Sequence, residues 1–144
     1  NKIINGVADW VYEEEFSFVR AFAWNKTGSH IAFLRFDETH VPEFSMDVYG
    51  NELYPTQQRF KYPKAGEKNA EVTLHLYDTT LKSTQNIDLA DAYYIPRIEW
   101  TNDANVLSIQ VLNRHQNHLK LYFFSIKNKE AKVVLNETDK AYVD

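Results

Sequence analysis

Two stretches of the sequence repeat one another in outline, and that repeat limits what the chain can fold into. Phe22-Ala23-Trp24 runs into a polar turn at Asn25-Lys26-Thr27-Gly28, and Ile31 follows the tryptophan by seven residues. Ile98-Glu99-Trp100 runs into a polar turn at 101–105, and Leu107 again follows by seven. Each series then continues through strand-length segments separated by turns. In the first, His30–Phe36 places Ile31, Phe33 and Arg35 on one face and Ala32, Leu34 and Phe36 on the other. A strand apolar on nearly both faces is expected to be buried on both sides. Val72–Tyr77 sets Val72, Leu74 and Leu76 against Thr73, His75 and Tyr77, the alternation of a half-exposed strand, and Gln85–Leu89 follows a turn at 78–82. The second series reads as strands over Ile95–Trp100, Val106–Leu112, His118–Ile126 and Ala131–Leu135. With an insertion at 41–63 set aside, the repeat has a period of roughly 50 residues, which suits a four-stranded propeller blade.

The expected fold is therefore all-β. It comprises about two four-stranded antiparallel β-propeller blades, a short Glu-bearing helix and an extended β-hairpin arm. Residues 1–20 read as a connection with the helix, 21–90 as a blade with the arm 41–63 inserted, and 91–144 as a second blade. Aromatic residues make up 15% of the chain, which fits strands, where flat rings pack across neighbours. The arm holds Pro42, Pro55 and Pro63, with strand-like runs Phe44–Tyr49 and Gln57–Tyr62 around a turn at Gly50-Asn51. The alternative for this segment is a long loop.

The helix is Asp9-Trp10-Val11-Tyr12-Glu13-Glu14-Glu15-Phe16, three consecutive carboxylates beside large apolar side chains. Asp9 is placed to be its N-cap, and acids in the opening turns offset the positive end of the helix dipole. One reading is a solvated helix end. The other is a cation trap. Neighbouring side chains on a helix point about 100° apart, so three carboxylates cannot converge but two can. An ammonium has three donors and no acceptor, which two carboxylates suit.

Composition excludes several classes. A net charge of −4 with scattered basic residues argues against a nucleic-acid partner. The absence of cysteine removes disulfides, thiolate metal sites and a cysteine nucleophile. His115 and His118 have a spacing found in metal sites, but they flank an expected hairpin turn without a third ligand, so no metal is expected. The four glycines, at 6, 28, 50 and 66, form no Gly-x-Ser-x-Gly elbow and no phosphate loop. No apolar run approaches a membrane span. The chain opens at Asn1 without an initiator Met or signal segment and ends at Asp144 in mid-pattern, so a piece of a longer protein is expected.

Asp9-Trp10-Val11-Tyr12-Glu13-Glu14-Glu15 resembles the double-Glu motif of the dipeptidyl peptidase IV family, serine exopeptidases of the prolyl oligopeptidase clan. Tyr62-Pro63-Lys64-Ala65-Gly66 is a second match, with Trp24, Arg35-Phe36-Asp37 and Val41-Pro42 between the two. In that family the motif sits on a short helix that projects from the β-propeller into the active-site cavity. The resemblance implies that Glu14 and Glu15 bind the free N-terminal amine of a peptide substrate. It also implies that the parent releases N-terminal dipeptides with Pro or Ala second. The family's catalytic Ser, Asp and His belong to a separate hydrolase domain, so none is expected here and this chain alone should be inactive. The family's arm packs in a homodimer, which gives Phe44, Tyr49, Tyr54, Phe60 and Tyr62 as dimer-arm residues. No cofactor is implied. A bacterial source and a periplasmic, secreted or cell-surface location are expected. The rival reading is a non-catalytic propeller-type binding or scaffold module; an unrelated two-sheet carbohydrate-binding domain is a third.

Overall fold

The structure, a computed structural model, describes residues 2–143. Along the chain come β1 (Ile3–Asn5), α1 (Trp10–Phe16), β2 (Phe22–Trp24), β3 (His30–Asp37), β4 (Glu43–Val48), β5 (Thr56–Lys61), β6 (Glu71–Asp78) and β7 (Ser83–Ile87). They are followed by β8 (Tyr94–Trp100), β9 (Val106–Leu112), β10 (His118–Ser125) and β11 (Glu130–Thr138). The fold is all-β, antiparallel, with a single helix among the described residues, as the alternation and the turn residues require.

The strands form a first sheet in the order β1-β3-β6-β7 with β2 also on β3, a second sheet in the order β8-β9-β10-β11, and a separate two-stranded arm, β4-β5. Strand β3 pairs along its whole length with β6 on one edge. Its other edge is shared: β1 covers Arg35–Asp37 and β2 covers Ile31–Phe33. The two are halves of one edge strand, and Leu34 marks the break. Its carbonyl accepts from Gly6 N–H at 2.9 Å, and its N–H donates to Ala21 O at 2.9 Å. The first residues of the 1–20 segment, where Lys2-Ile3-Ile4 is expected as the tail of a strand before a turn at Asn5-Gly6, are thus hydrogen-bonded into the sheet as β1.

Between the halves the chain leaves the sheet and returns beside itself. Ala21 N–H donates to Gly6 O at 3.0 Å, Val7 bridges Arg20, and Ala8 N–H donates to Val19 O at 2.8 Å. Gly6 turns the chain out at φ +71°, a left-handed conformation open to glycine without strain. This paired stalk carries α1.

The two sheets enclose one core. Ala32, Leu34 and Phe36 of β3 and Leu74 and Leu76 of β6 are buried with Leu107, Ile109 and Val111 of β9 and Tyr122 and Phe124 of β10. Polar groups also join the sheets: Trp100 Nε1 donates to Ala23 O at 3.0 Å, and Asn25 Nδ2 to Ala104 O at 3.2 Å. Asn25 and Asn113 close their hairpins alike, each Oδ1 accepting the N–H five residues on, from His30 at 3.0 Å and His118 at 3.2 Å.

The expected two-sided burial of β3 is corrected. Ala32, Leu34 and Phe36 are buried, but Ile31, Phe33 and Arg35 are only half-buried. No layer among the described residues packs over their side. There Ile31, Phe33, Phe22, Trp24 and Tyr77 line an open apolar hollow of about 440 Å³.

Candidate functional site: a carboxylate-bearing helix fixed from below

A helix of seven residues is too short to be stable in water by itself, so α1 depends on what holds it. At its start Asp9 is the N-cap, its Oδ1 accepting from Tyr12 N–H at 3.0 Å, as the sequence predicts. Asp9 is buried, and burial pushes its carboxyl above the usual range, opposed by the cap hydrogen bond and reinforced by Glu13. At its end Ser17 adopts φ +55°, and its N–H donates to Glu13 O at 3.1 Å.

The underside is apolar and locked. Val11, Tyr12 and Phe16 are buried. Tyr12 meets Phe16, Phe18 and Phe36 edge-on at centroid distances of 5.0, 5.7 and 4.9 Å, and Phe16 meets Tyr94 at 5.4 Å. The Tyr12 hydroxyl accepts from Ile95 N–H at 2.9 Å, and burial drives that phenol's pKa strongly upward, so it stays neutral. Arg97 Nη1 donates to Phe16 O at 2.9 Å. A helix that emerges from the first sheet is therefore fastened to β8 of the second.

The upper face carries Glu13, Glu14 and Glu15, all exposed. The ion pairs among the described residues are His30–Asp78, Arg35–Asp37, Lys120–Asp91 and Lys132–Glu130, and none involves α1. Glu14 and Glu15 are thus adjacent on the helix, both exposed, and neither is in an ion pair among the described residues.

The expected arm residues divide into two groups. Phe44, Phe60 and Tyr62 form a cluster at the root, with Phe44–Phe60 at 5.8 Å and Phe44–Tyr62 at 5.5 Å, and Tyr62 meets Trp10 of α1 at 4.3 Å. Tyr49 and Tyr54 are exposed at the tip. His118 approaches Asn136 and His115 is exposed; among the described residues no three metal-ligating side chains come together. Nor is any helix among them long and apolar enough to cross a membrane.

Several residues at the site carry no motif. Glu38 is buried, and burial raises its carboxyl above the usual range; Asp9 adds to this and Lys61 opposes it. The three border a hollow of about 440 Å³ beside α1. Arg97 and Tyr94 leave one sequence signal, an arginine in the otherwise apolar opening of β8, and nothing there points to α1.

The family model for the dipeptidyl peptidase IV N-terminal region matches residues 1–144. The chain is 35% identical to dipeptidyl-aminopeptidase B of Aspergillus niger over 92% of its length, and 36% identical to human prolyl endopeptidase FAP over 81%. It spans 16% of the length of each of these relatives. The crystal structure of Porphyromonas gingivalis dipeptidyl peptidase 4 superimposes on all of this chain with a TM-score of 0.93 at 43% identity, the match covering 21% of that protein. The chain belongs to the dipeptidyl peptidase IV family and corresponds to part of its N-terminal region.

Proposed function

We propose that the chain is the substrate-recognition part of a serine exopeptidase that releases N-terminal dipeptides, Xaa-Pro or Xaa-Ala, and that Glu14 and Glu15 bind the substrate's free α-amine. The observation that carries this reading is the pair of exposed carboxylates, in no ion pair among the described residues, on a helix held from below in a chain of this family. Names of similar proteins, dipeptidyl-aminopeptidase B and dipeptidyl peptidase 4, agree with it.

The chemistry follows from charge. An α-amine with a pKa near 8 is mostly protonated at neutral pH. Two neighbouring carboxylates repel when empty, and an ammonium between them relieves the repulsion and receives two charge-assisted hydrogen bonds. The amine held there lies at a set distance from the bond to be cut, and that distance selects cleavage after the second residue. Acylation removes both the charge and the donors, so a blocked peptide leaves the carboxylates without partners. The reacting Ser, Asp and His would come from another part of the full-length protein. The same reading makes that protein a homodimer joined through the arm and places it in the periplasm or outside the cell.

The test is the full-length protein with a chromogenic Xaa-Pro substrate and its N-acetyl counterpart. Cleavage of the free-amine form is expected at least about a hundredfold faster. Equal cleavage of both forms rejects the amine trap. Binding of the free-amine peptide without turnover would instead make the protein a non-catalytic binding module.

A further inference from the structure

Helix α1 ends without a cation of its own. No basic residue lies in its last turn, although the carbonyls there carry the negative end of the helix dipole. The cation comes from the other sheet. Arg97 Nη1 donates to Phe16 O at 2.9 Å and to Pro96 O at 2.7 Å, using both hydrogens of that nitrogen. Its guanidinium carbon lies 5.6 Å from the centre of the Phe18 ring, just past the helix. Arg97 is thus fixed on three sides: by its own strand, by the last residue of α1 and by the ring that follows. Phe16, whose carbonyl it holds, is next to Glu15 and two residues from Glu14.

We propose that Arg97 is a positioning residue for the Glu14–Glu15 pair: by holding the Phe16 carbonyl it sets the rotation of the helix end, and so the direction in which the two carboxylates meet a substrate amine. The inference rests on the amine-binding reading above. Tyr12 and Asp9 hold the start and middle of the helix, so without Arg97 the helix stays docked while its last turn loosens. The last turn is where the two carboxylates are. A loosened pair still chelates an ammonium, but it spends ordering entropy to do so. The loss therefore falls on substrate binding more than on the chemical step.

The experiment uses the full-length protein and two substrates, a dipeptidyl chromogenic amide with a free amine and its desamino analogue. Arg97→Met keeps the length of the side chain without charge or donors. It is expected to raise KM for the free-amine substrate about tenfold, with kcat within about threefold and desamino turnover unchanged. Arg97→Lys restores the charge with a single flexible donor group and should recover part of the loss. Equal losses on both substrates, or a lower melting temperature with an unchanged amine-to-desamino ratio, overturn the proposal, because a purely structural role moves both substrates together. Glu14→Gln serves as the control. If it too leaves the ratio at the wild-type value, the amine-binding reading itself is wrong; if it collapses the ratio and Arg97→Met does not, only the role of Arg97 is lost. Should Arg97→Met not fold, hydrogen exchange at the Ser17 amide of Arg97→Lys decides. Faster exchange than wild type is expected, and unchanged exchange overturns the proposal.

Discussion

Two segments leave the first sheet, and they are held very differently. Helix α1 rises on a paired stalk and is tied into the second sheet by the Tyr12 hydroxyl, the Phe16 carbonyl and the edge-on contact of Phe16 with Tyr94, while Tyr12 packs edge-on against Phe36 of the first sheet. The arm between β3 and β6 has its own two-stranded sheet and, among the described residues, is held near its root, where Tyr62 packs on Trp10, Val41 is buried in the core and Val41 N–H donates to Glu38 O at 3.0 Å. Helix residue Tyr12 is 2% exposed; tip residue Leu53 is 88% exposed. Neither a two-turn helix nor a lone hairpin is stable in water by itself. The helix gains its order from within the described residues, which suits a part that must present two carboxylates in one geometry. The arm keeps its large apolar side chains Tyr49, Leu53 and Tyr54 in the open, which suits a part completed by a partner surface.

The sharpest way to break this contrast is at the helix tip. In the full-length protein, Glu14→Gln and Glu15→Gln are each expected to cut kcat/KM on free-amine dipeptidyl substrates by about ten- to a hundredfold or more, since each removes a hydrogen bond to a charged group. Glu13→Gln should do less, because the helix turns it away from the pair. Melting temperatures should hardly move, the three side chains being exposed. Wild-type kinetics in both mutants would return the acid run to a solvated helix end.

Next in size is the fastening. Tyr12→Phe deletes the acceptor for Ile95 N–H and leaves a buried donor unpaired, an expected loss of about 1–3 kcal/mol in denaturant unfolding of the full-length protein. A loss near zero would mean that the aromatic packing alone secures α1. The corresponding change in the arm should leave stability untouched. If the full-length protein forms the proposed homodimer, Tyr49→Asp with Tyr54→Asp is expected to weaken it about tenfold or more, read by sedimentation, with no change in melting temperature. Unchanged dimer mass would take the tip out of the interface. Phe44→Asp is a different experiment, because that ring packs within the arm itself.

The smallest effect lies where helix and arm meet. Glu38 is buried near Asp9 of the stalk and Lys61 of the arm, and its folded pKa lies above the ordinary value. Between the two values the folded state keeps a proton that the unfolded chain has released, so rising pH costs stability until the folded carboxyl has ionised. Glu38→Gln removes that cost. Its melting temperature should rise relative to wild type as pH goes from about 4 to neutral, by on the order of a degree or two. A difference that stays constant with pH would show that Glu38 does not titrate in this window.

Much of the fold was legible because it is local. Period-two alternation, turn residues and the repeated tryptophans mark the strands, and the arm strands, expected over Phe44–Tyr49 and Gln57–Tyr62, appear at Glu43–Val48 and Thr56–Lys61. The Asp9 cap was legible because its partner is three residues away. The aromatic and acidic pattern of α1 shows which face is outward. What the sequence does not show is how the site is held. Ile95 meets Tyr12 across 83 residues and Arg97 meets Phe16 across 81, and no periodicity in either segment encodes the meeting. The splitting of the edge strand at Leu34 is hidden for a related reason: it is written in backbone hydrogen bonds, which any side chain could accompany. The two-sided pattern of β3 was misleading in the opposite way, since apolar residues mark what a strand is suited to bury against and not whether the described residues supply it.

The broken edge strand also bears on how the helix is joined to the sheet. Because Gly6 and Ala21 both pair with Leu34 and with each other, the sheet closes its ladder around the insertion as though one residue had simply been skipped. Everything from Val7 to Arg20 is then a cassette. Its attachment comes down to two conditions: the two chain ends meet at the stalk, and the underside fits Tyr94 and Ile95. The helix that carries Glu14 and Glu15 is in this way separable from the ladder that anchors it.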